Sequence, residues 1–272
     1  MSRYALPLLI AATVAVALGL TWWTLDRSGG GDTAVADQDL EPFGRIAING
    51  TADLVVVQGA REHLTVEAPT RGQRIVANVR GDTLHITIRD TRRWWQSLTG
   101  RGSGSRTTRI TVTVRALDAL ALNGAVKMTA SGLATPELRL SASGGSSVQM
   151  DGLKTGTLRV SGSGALKARL SGEATEQHVS ISGAGEYQAE ALASERATIT
   201  VSGVGHVVVR VERELNATIS GAGNVEYVGS PVVKERVSGV GRVKRLEGAA
   251  PPRGVKMAAW PLGGAFAPCA VI

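Results

Sequence analysis

Residues 181–211 read ISGAGEYQAEALASERATITVSGVGHVVVRV, and this stretch contains two copies of one pattern. In each copy a Ser-Gly pair follows an apolar residue, and a second apolar residue stands five positions after the serine. A degenerate first copy lies at Asn123-Gly124, and the later copies follow at steps of 20, 18, 21, 20, 18 and 18 residues, with their serines at Ser143, Ser161, Ser182, Ser202, Ser220 and Ser238. A period of this size indicates stacked supersecondary units.

The apolar positions of the repeat form two columns. The residue before each pair is Leu122, Ala142, Val160, Ile181, Val201, Ile219 or Val237. The residue five positions after the serine is Met128, Val148, Leu166, Tyr187, Val207, Val225 or Val243. Alternation with polar residues predicts two short strands per repeat, joined at a glycine corner and stacked on the next repeat. Because parallel crossovers are almost always right-handed, we predict an all-β fold: a right-handed parallel β-helix, or β-solenoid, with about 18–21 residues per coil.

Three further columns refine this prediction. A second glycine three residues after the serine predicts a regular bend; these glycines are Gly164, Gly185, Gly205, Gly223 and Gly241. A solvent-facing column consists of Lys127, Ser147, Ala165, Glu186, His206, Asn224 and Arg242. Glu235 stands where earlier copies have Leu120, Leu140, Leu158, Val179 and Ile199. A charge at that position predicts either protection of an exposed edge or a half-formed last coil.

The repeats belong to a longer β-rich region. Apolar residues alternate with polar ones at 46–56, 64–66, 84–88 and 110–114, which predicts further strands before the clean repeats. We predict a solenoid domain at residues 43–246. A glycine-rich and acidic linker precedes it at 29–42, and a disordered tail rich in Ala, Pro and Gly follows at 247–272.

Residues 1–28 are predicted to be a targeting segment. Residues 4–23 carry no charge, and 20 residues are enough to span a bilayer as a helix. Trp22 and Trp23 would then lie at the membrane interface. Either an uncleaved signal-anchor or a cleaved signal peptide explains the segment. We therefore predict a cell-envelope protein, anchored in the cytoplasmic membrane with the solenoid in the periplasm or outside, or secreted if the signal is cleaved.

The composition favours a narrow aliphatic core. The 272 residues include 34 glycines and only 4% aromatic residues. The net charge of +7 would suit nucleic acid, but the repeats lack the interleaved aromatic residues that stack on bases, so nucleic acid is not a predicted partner. Cys269 is the only cysteine, so no internal disulfide forms and the fold depends on packing.

The sequence resembles the head GIN domain of putative auto-transporter adhesins, a family of exported bacterial β-solenoid proteins. Three stretches carry the resemblance: FGRIAING with DLVVVQG at residues 43–50 and 53–59, GDTLHI at 81–86, and the Ser-Gly-x-Gly ladder that follows. The resemblance covers roughly residues 43–246 and implies an envelope or surface location. The family supplies no catalytic residues. The Arg/Trp insertion after residue 90 and the Ala/Pro tail depart from its pattern.

The sequence predicts no catalytic residue, no metal site and no cofactor. The histidines lack metal-ligand spacing; they are His63, His85, His178 and His206. The serines lack a nucleophile motif. One acidic group requires comparison with glycosidases, because paired carboxylates can cleave sugar chains; it consists of Glu186, Gln188 and Glu190, with Glu226 from a later coil. We interpret this group as part of a solvated face of mixed charge.

Residues 92–106 are the one patch that does not repeat. The candidate surface or membrane contacts there are Arg92, Arg93, Trp94, Trp95, Arg101 and Arg106. Arginine beside tryptophan suits an anionic lipid surface, and the alternative is that the tryptophans pack on the solenoid. We predict a non-catalytic module for binding, adhesion or scaffolding, whose partner is an envelope lipid, polysaccharide or protein. The alternatives are a polysaccharide-active β-helix enzyme and an envelope signalling accessory.

Overall fold

The computed structural model describes residues 33–69, 73–90 and 107–246, which form fourteen strands. The strands are β1 Thr33–Asp39, β2 Arg45–Gln58, β3 His63–Pro69, β4 Gln73–Arg80, β5 Thr83–Asp90, β6 Thr108–Val114, β7 Ala119–Ser131, β8 Ala134–Gly162, β9 Ala165–Ile181, β10 Ala184–Val201, β11 Val204–Ile219, β12 Ala222–Val228, β13 Val232–Val237 and β14 Val240–Arg245. Within these ranges no helix is present that could cross a bilayer. The predicted N-terminal helix lies outside them.

The strands stack in parallel, as the repeat predicts, in a solenoid of about six turns. β2, β7, β8, β9, β10 and β11 follow one another in the sheet, and β11 continues onto β12 and β13. From β7 onward, paired residues in successive coils are 17 to 20 positions apart, as in Ala184↔Val204 and Val204↔Ala222. Stacked strands of this kind are about 4.8 Å apart. The predicted all-β parallel solenoid is therefore confirmed.

β2 forms the first complete coil. Its two halves pair in register with β7, so that Ile46 lies beside Leu120 and Gly50 beside Gly124. On the other side of β2 the chain is divided: β5 pairs with the first half of β2 and β6 with the second. Residues 91–106 therefore connect two strands at the position where the other coils have their glycine corner.

Antiparallel strands cover the N-terminal end of the stack. β4 pairs with β5, β3 pairs with β6, and β1 pairs with β3. The prediction of a linker through residue 42 is wrong for Thr33–Asp39, because these residues form β1. The strand protects an edge of β3 that would otherwise be free, and Asp37 and Asp39 hold it there through contacts to His63.

The core is a narrow stack of aliphatic side chains. Inward positions of β7 to β12 are mostly Val, Leu, Ile and Ala, and most of them are less than 5% exposed. Glycine is required at the corner because successive backbones touch there: a Cβ on Gly203 would collide with the carbonyl oxygen of Gly183. The corner glycines are thus required by backbone contact between successive coils.

One coil departs from the predicted register by two residues. It contains two consecutive pairs, Ser161-Gly162 and Ser163-Gly164. In the structure the second pair, not the first, forms the corner and stacks on the Ser-Gly corners of the neighbouring coils. Ser161 pairs with Ser180 instead of Ser182. Five predicted column members are consequently wrong. Their places are taken by the residues two positions later: Gly162 for Val160, Leu166 for Gly164, Ala168 for Leu166, Lys167 for Ala165, and Val160 for Leu158 as the partner of Val179.

The volumes of the side chains at the corner explain this shift. Gly162 is buried, and a Cβ on it would lie 2.9 Å from Cδ2 of Leu166. One coil later the arrangement is reversed: Ile181 fills the space before the corner, and a Cβ on Gly185 would lie 2.7 Å from its Cγ2. In these two coils the corner therefore holds one large side chain, either before the turn or four residues later, and glycine occupies the other position.

Candidate binding surface

A ladder of polar side chains runs along the outside of the coils, immediately after the corner. Each member is the Cα partner of the next, and all are exposed or half-buried. We call this row the polar ladder, and its members are Asp53, Lys127, Ser147, Lys167, Glu186, His206, Asn224 and Arg242. Stacking brings residues about 20 positions apart in sequence to neighbouring rungs, so the ladder offers a repeated array of charges.

Glu186 is the best-connected acid on the polar ladder. The Nζ of Lys167 lies 2.9 Å from its Oε2, and the amide of Gln188 donates to its Oε1 at 2.5 Å. Arg169 in turn donates to Oε1 of Gln188, at 2.7 Å from Nη2. The hydrogen bond from Lys167, with weaker contributions from Arg169 and His206, lowers the pKa of Glu186. An acid kept ionised in this way is poorly suited to donate a proton to a glycosidic oxygen.

The other acids of the suggested catalytic group do not converge on Glu186. Glu226 belongs to the row beside the polar ladder, where it lies two coils beyond Gln188, and its Oε2 is 3.9 Å from Nε2 of His206. Glu190 is exposed and lies within a break in register, and its backbone carbonyl accepts a hydrogen bond from Arg210 at 2.7 Å. The group is thus a row of charges paired with Lys167 and His206, as the solvated-face interpretation expects.

A stripe of small residues runs beside the polar ladder. Its members are exposed, and they are Thr51, Ala125, Gly145, Ala165, Ala184, Val204, Ala222 and Val240. A shallow groove of about 670 Å³ follows the stripe and the ladder from Asp53 to Glu186. Its open shape suits an extended contact better than an enclosed small molecule.

The strand segments before the corner form a second wall, which carries ion pairs that link successive coils. Glu137 contacts both Arg139 and Arg159 at 3.0 Å, and Lys234 lies 2.9 Å from Glu214. The hydrogen bond from Arg139, followed by that from Arg159, lowers the pKa of Glu137. These pairs are exposed, so they contribute little stability individually. Their effect is to leave this wall nearly balanced in charge.

The histidines occupy separate places on the molecule. His63 contacts Asp37 and Asp39 on β1, His178 lies 3.6 Å from Glu176, and His206 belongs to the polar ladder. In the described ranges, no three His, Cys, Asp or Glu side chains are arranged so that they could hold a metal ion.

The predicted contact residues lie outside the described parts of the chain. This applies to Trp22 and Trp23, and to the candidate contacts in residues 92–106, a segment that we call the excursion. Those contacts are Arg92, Arg93, Trp94, Trp95, Arg101 and Arg106. The strands that flank the excursion are described, and they place its two attachment points at the N-terminal end of the stack. Sequence reasoning missed Lys167 as a ladder member. The second Ser-Gly pair at Ser163 was the available signal.

A family model described as "Putative auto-transporter adhesin, head GIN domain" matches residues 42–231. No curated protein matches the chain by sequence. The matched range begins just before β2 and ends just before β13, so it takes in the coils and the antiparallel strands from β3 to β5.

Solved structures share the fold. One from Bacteroides fragilis, described as a putative adhesin, has a TM-score of 0.71 at 20% identity and covers 80% of this chain and 98% of its own. Two from Parabacteroides distasonis have a TM-score of 0.54 with the same coverage; one is a putative adhesin at 17% identity and the other a putative lipid binding protein at 16%. At these identities the likeness shows the fold alone.

Proposed function

Because the chain belongs to the family described as the head GIN domain of putative auto-transporter adhesins, we propose that it is a non-catalytic binding, adhesion or scaffold module of the cell envelope. One observation carries the proposal: the outward charges form paired rows along an open groove, and Glu186, the acid nearest to a catalytic arrangement, is ionised against Lys167. A repeated outer face of this kind favours an extended partner that contacts several coils at once.

The placement of the N-terminal strands supports an orientation for this module. β1 begins ten residues after position 23, where the uncharged stretch ends, and β1 lies on the antiparallel cap. The excursion is attached at the same end, between β5 and β6. With residues 4–23 in the cytoplasmic membrane, the short connection to β1 would hold this end of the solenoid, and with it the attachment points of the excursion, near the anionic lipid surface.

Vesicle binding tests the lipid part of the proposal. A form without residues 1–32 is mixed with vesicles containing phosphatidylglycerol and sedimented, and vesicles of phosphatidylcholine alone are the control. We expect binding only to the anionic vesicles, and weaker binding at high salt because ions screen the arginines. Replacement of Arg92, Arg93, Trp94 and Trp95 by Ser is expected to abolish it. Far-UV circular dichroism checks that the fold is retained.

Two results would count against the proposal. Unchanged binding of the four-residue variant would remove the excursion as the contact. Turnover of an envelope polysaccharide that Glu186→Gln abolishes would replace the binding function with that of a β-helix enzyme. The Glu137→Gln variant is the matched control for the second result, because Glu137 is a partly exposed, ion-paired acid outside the polar ladder.

A further inference from the structure

The two ends of the solenoid differ in how they are covered. At the N-terminal end, antiparallel strands pair with β5 and β6. At the C-terminal end, β13 and β14 pair inward with β11 and β12, and in the described residues no strand pairs with their outer edges. The inward-facing Val233, Val237 and Val243 pair with fully buried residues of the previous coil, yet Val237 is 41% exposed and Val233 and Val243 are only partly buried. An apolar and open strand edge of this kind attracts further chains.

The chain leaves the last coil at this open end. The amide of Leu246 still donates to the carbonyl of Tyr227 at 2.8 Å, as a residue in register does. The 26 residues that follow contain only three charged residues: Glu247, Arg253 and Lys256. From Met257 to Ile272 there is no charge, and the segment includes Trp260, Leu262 and Phe266. An apolar segment of this length gains free energy if it finds a surface to cover.

We propose that residues 247–272 fold back over β13 and β14 and cap the C-terminal end of the solenoid. The attachment at Leu246 gives the segment a high local concentration at the exposed valines. Four of its residues are prolines, at 251, 252, 261 and 268. Because proline cannot donate a backbone hydrogen bond, a cap that contains it ends the stack and prevents the addition of another strand.

The charge of the last coil favours this occupant over a second copy of the chain. Residues 232–246 carry five basic side chains and one acid; the basic ones are Lys234, Arg236, Arg242, Lys244 and Arg245, and the acid is Glu235. Two such ends meeting face to face would bring like charges together. The uncharged stretch from Met257 onward meets no such repulsion. The cap is independent of the binding function proposed above.

Hydrogen exchange of the full chain in detergent tests the cap, with a variant that ends at Leu246 as the comparison. We expect the amides of residues 232–246 to exchange at least about tenfold faster in the shortened chain, because the outer edges lose their cover. The amides of β9 and β10 are expected to stay unchanged, which shows that the remaining coils are intact. Equal exchange of residues 232–246 in the two proteins would overturn the proposal.

A full-length variant covers the case in which the shortened chain does not fold. Trp260→Ser with Phe266→Ser keeps the length of the segment and removes its large apolar groups, and it is expected to reproduce the faster exchange. Arg253→Ser with Lys256→Ser is the matched control and is expected to leave exchange unchanged. Protection that rises with protein concentration, together with a dimer in light scattering, would assign the end to a second copy and overturn the proposal.

Discussion

The hydroxyl of Tyr187 donates a hydrogen bond of 2.9 Å to Oε1 of Gln177 inside the core. Both side chains are fully buried. Between these two coils their stack partners are small: Ala168 pairs with Tyr187, and Ala197 pairs with Gln177. Burial raises the pKa of Tyr187, so the hydroxyl remains a proton donor over the whole physiological range. This contact ties together two residues of neighbouring coils in an otherwise apolar interior.

Tyr187→Phe is expected to lower the free energy of unfolding by about 1–3 kcal/mol, because it leaves the buried amide of Gln177 without its donor. Adding Gln177→Leu removes the other half of the pair and is expected to recover most of that loss. Urea denaturation of the single and double variants measures both changes. A double variant as unstable as Tyr187→Phe would show that the unpaired amide of Gln177 is not the source of the lost stability.

Gly203→Ala is expected to destabilise the protein by about 1–3 kcal/mol or more, because its Cβ would collide with the carbonyl oxygen of Gly183. Gly145→Ala is the matched control. Gly145 is one position after its own corner glycine, and a Cβ there would have no neighbour within 4 Å. It should change stability by less than about 1 kcal/mol. Thermal unfolding of both variants measures the contrast, and equal melting temperatures would contradict the corner packing.

The stacked architecture could be predicted because the repeated apolar positions of the sequence are the residues that form the core. Residues such as Val207 and Val225 alternate with polar neighbours, and the structure pairs them as the repeat predicts. β1 could not be predicted in this way. The pattern of residues 33–39 is short and acidic, and their strand depends on the edge of β3 and on His63, which is distant in sequence. The alternation of apolar and polar residues within a short segment carries no information about a pairing strand that is distant in sequence.

The register of one coil could not be read from alternation. A slip of one residue would move Leu166 to the outside, and the pattern excludes it. A slip of two residues keeps every side chain on its own face, so alignment on Ser161 and alignment on Ser163 satisfy the pattern equally. The candidate surface inherited this error, since Ala165 was assigned the position that Lys167 occupies. The two registers differ in how the side chains around Gly162, above all Leu166, fill the space at the corner.

The attachment of β1 is expected to weaken as the pH rises through the raised pKa of His63. The hydrogen bond to Asp39, followed by that to Asp37, raises the pKa of His63. A raised pKa means that the contribution is fully present below about pH 6.5, the value in the unfolded chain, and is lost as the pH rises through the folded value. The hydrogen bond from Thr65 lowers the pKa of Asp37, so that carboxylate remains ionised over this whole window.

Hydrogen exchange of residues 33–39, corrected for intrinsic rates, measures this effect at pH 6 and pH 8. Protection is expected to be greater at pH 6, and His63→Gln is expected to remove the difference. His178→Gln is the control, because His178 lies on β9 beside Glu176, away from β1. A pH dependence that persists in His63→Gln would show that another group controls the strand.

Gly162→Ile is expected to destabilise the protein by about 1–3 kcal/mol, because a side chain there would overlap Leu166, whose Cδ2 lies 2.9 Å from the added Cβ. The double variant Gly162→Ile with Leu166→Gly reproduces the arrangement of Ile181 and Gly185 one coil later, so it is expected to regain most of the lost stability. Leu166→Gly alone leaves a cavity and serves as the control. Denaturant unfolding of the three variants measures the coupling. If the two single losses simply add in the double variant, the two positions do not share one space, and the two-residue shift of this coil needs another cause.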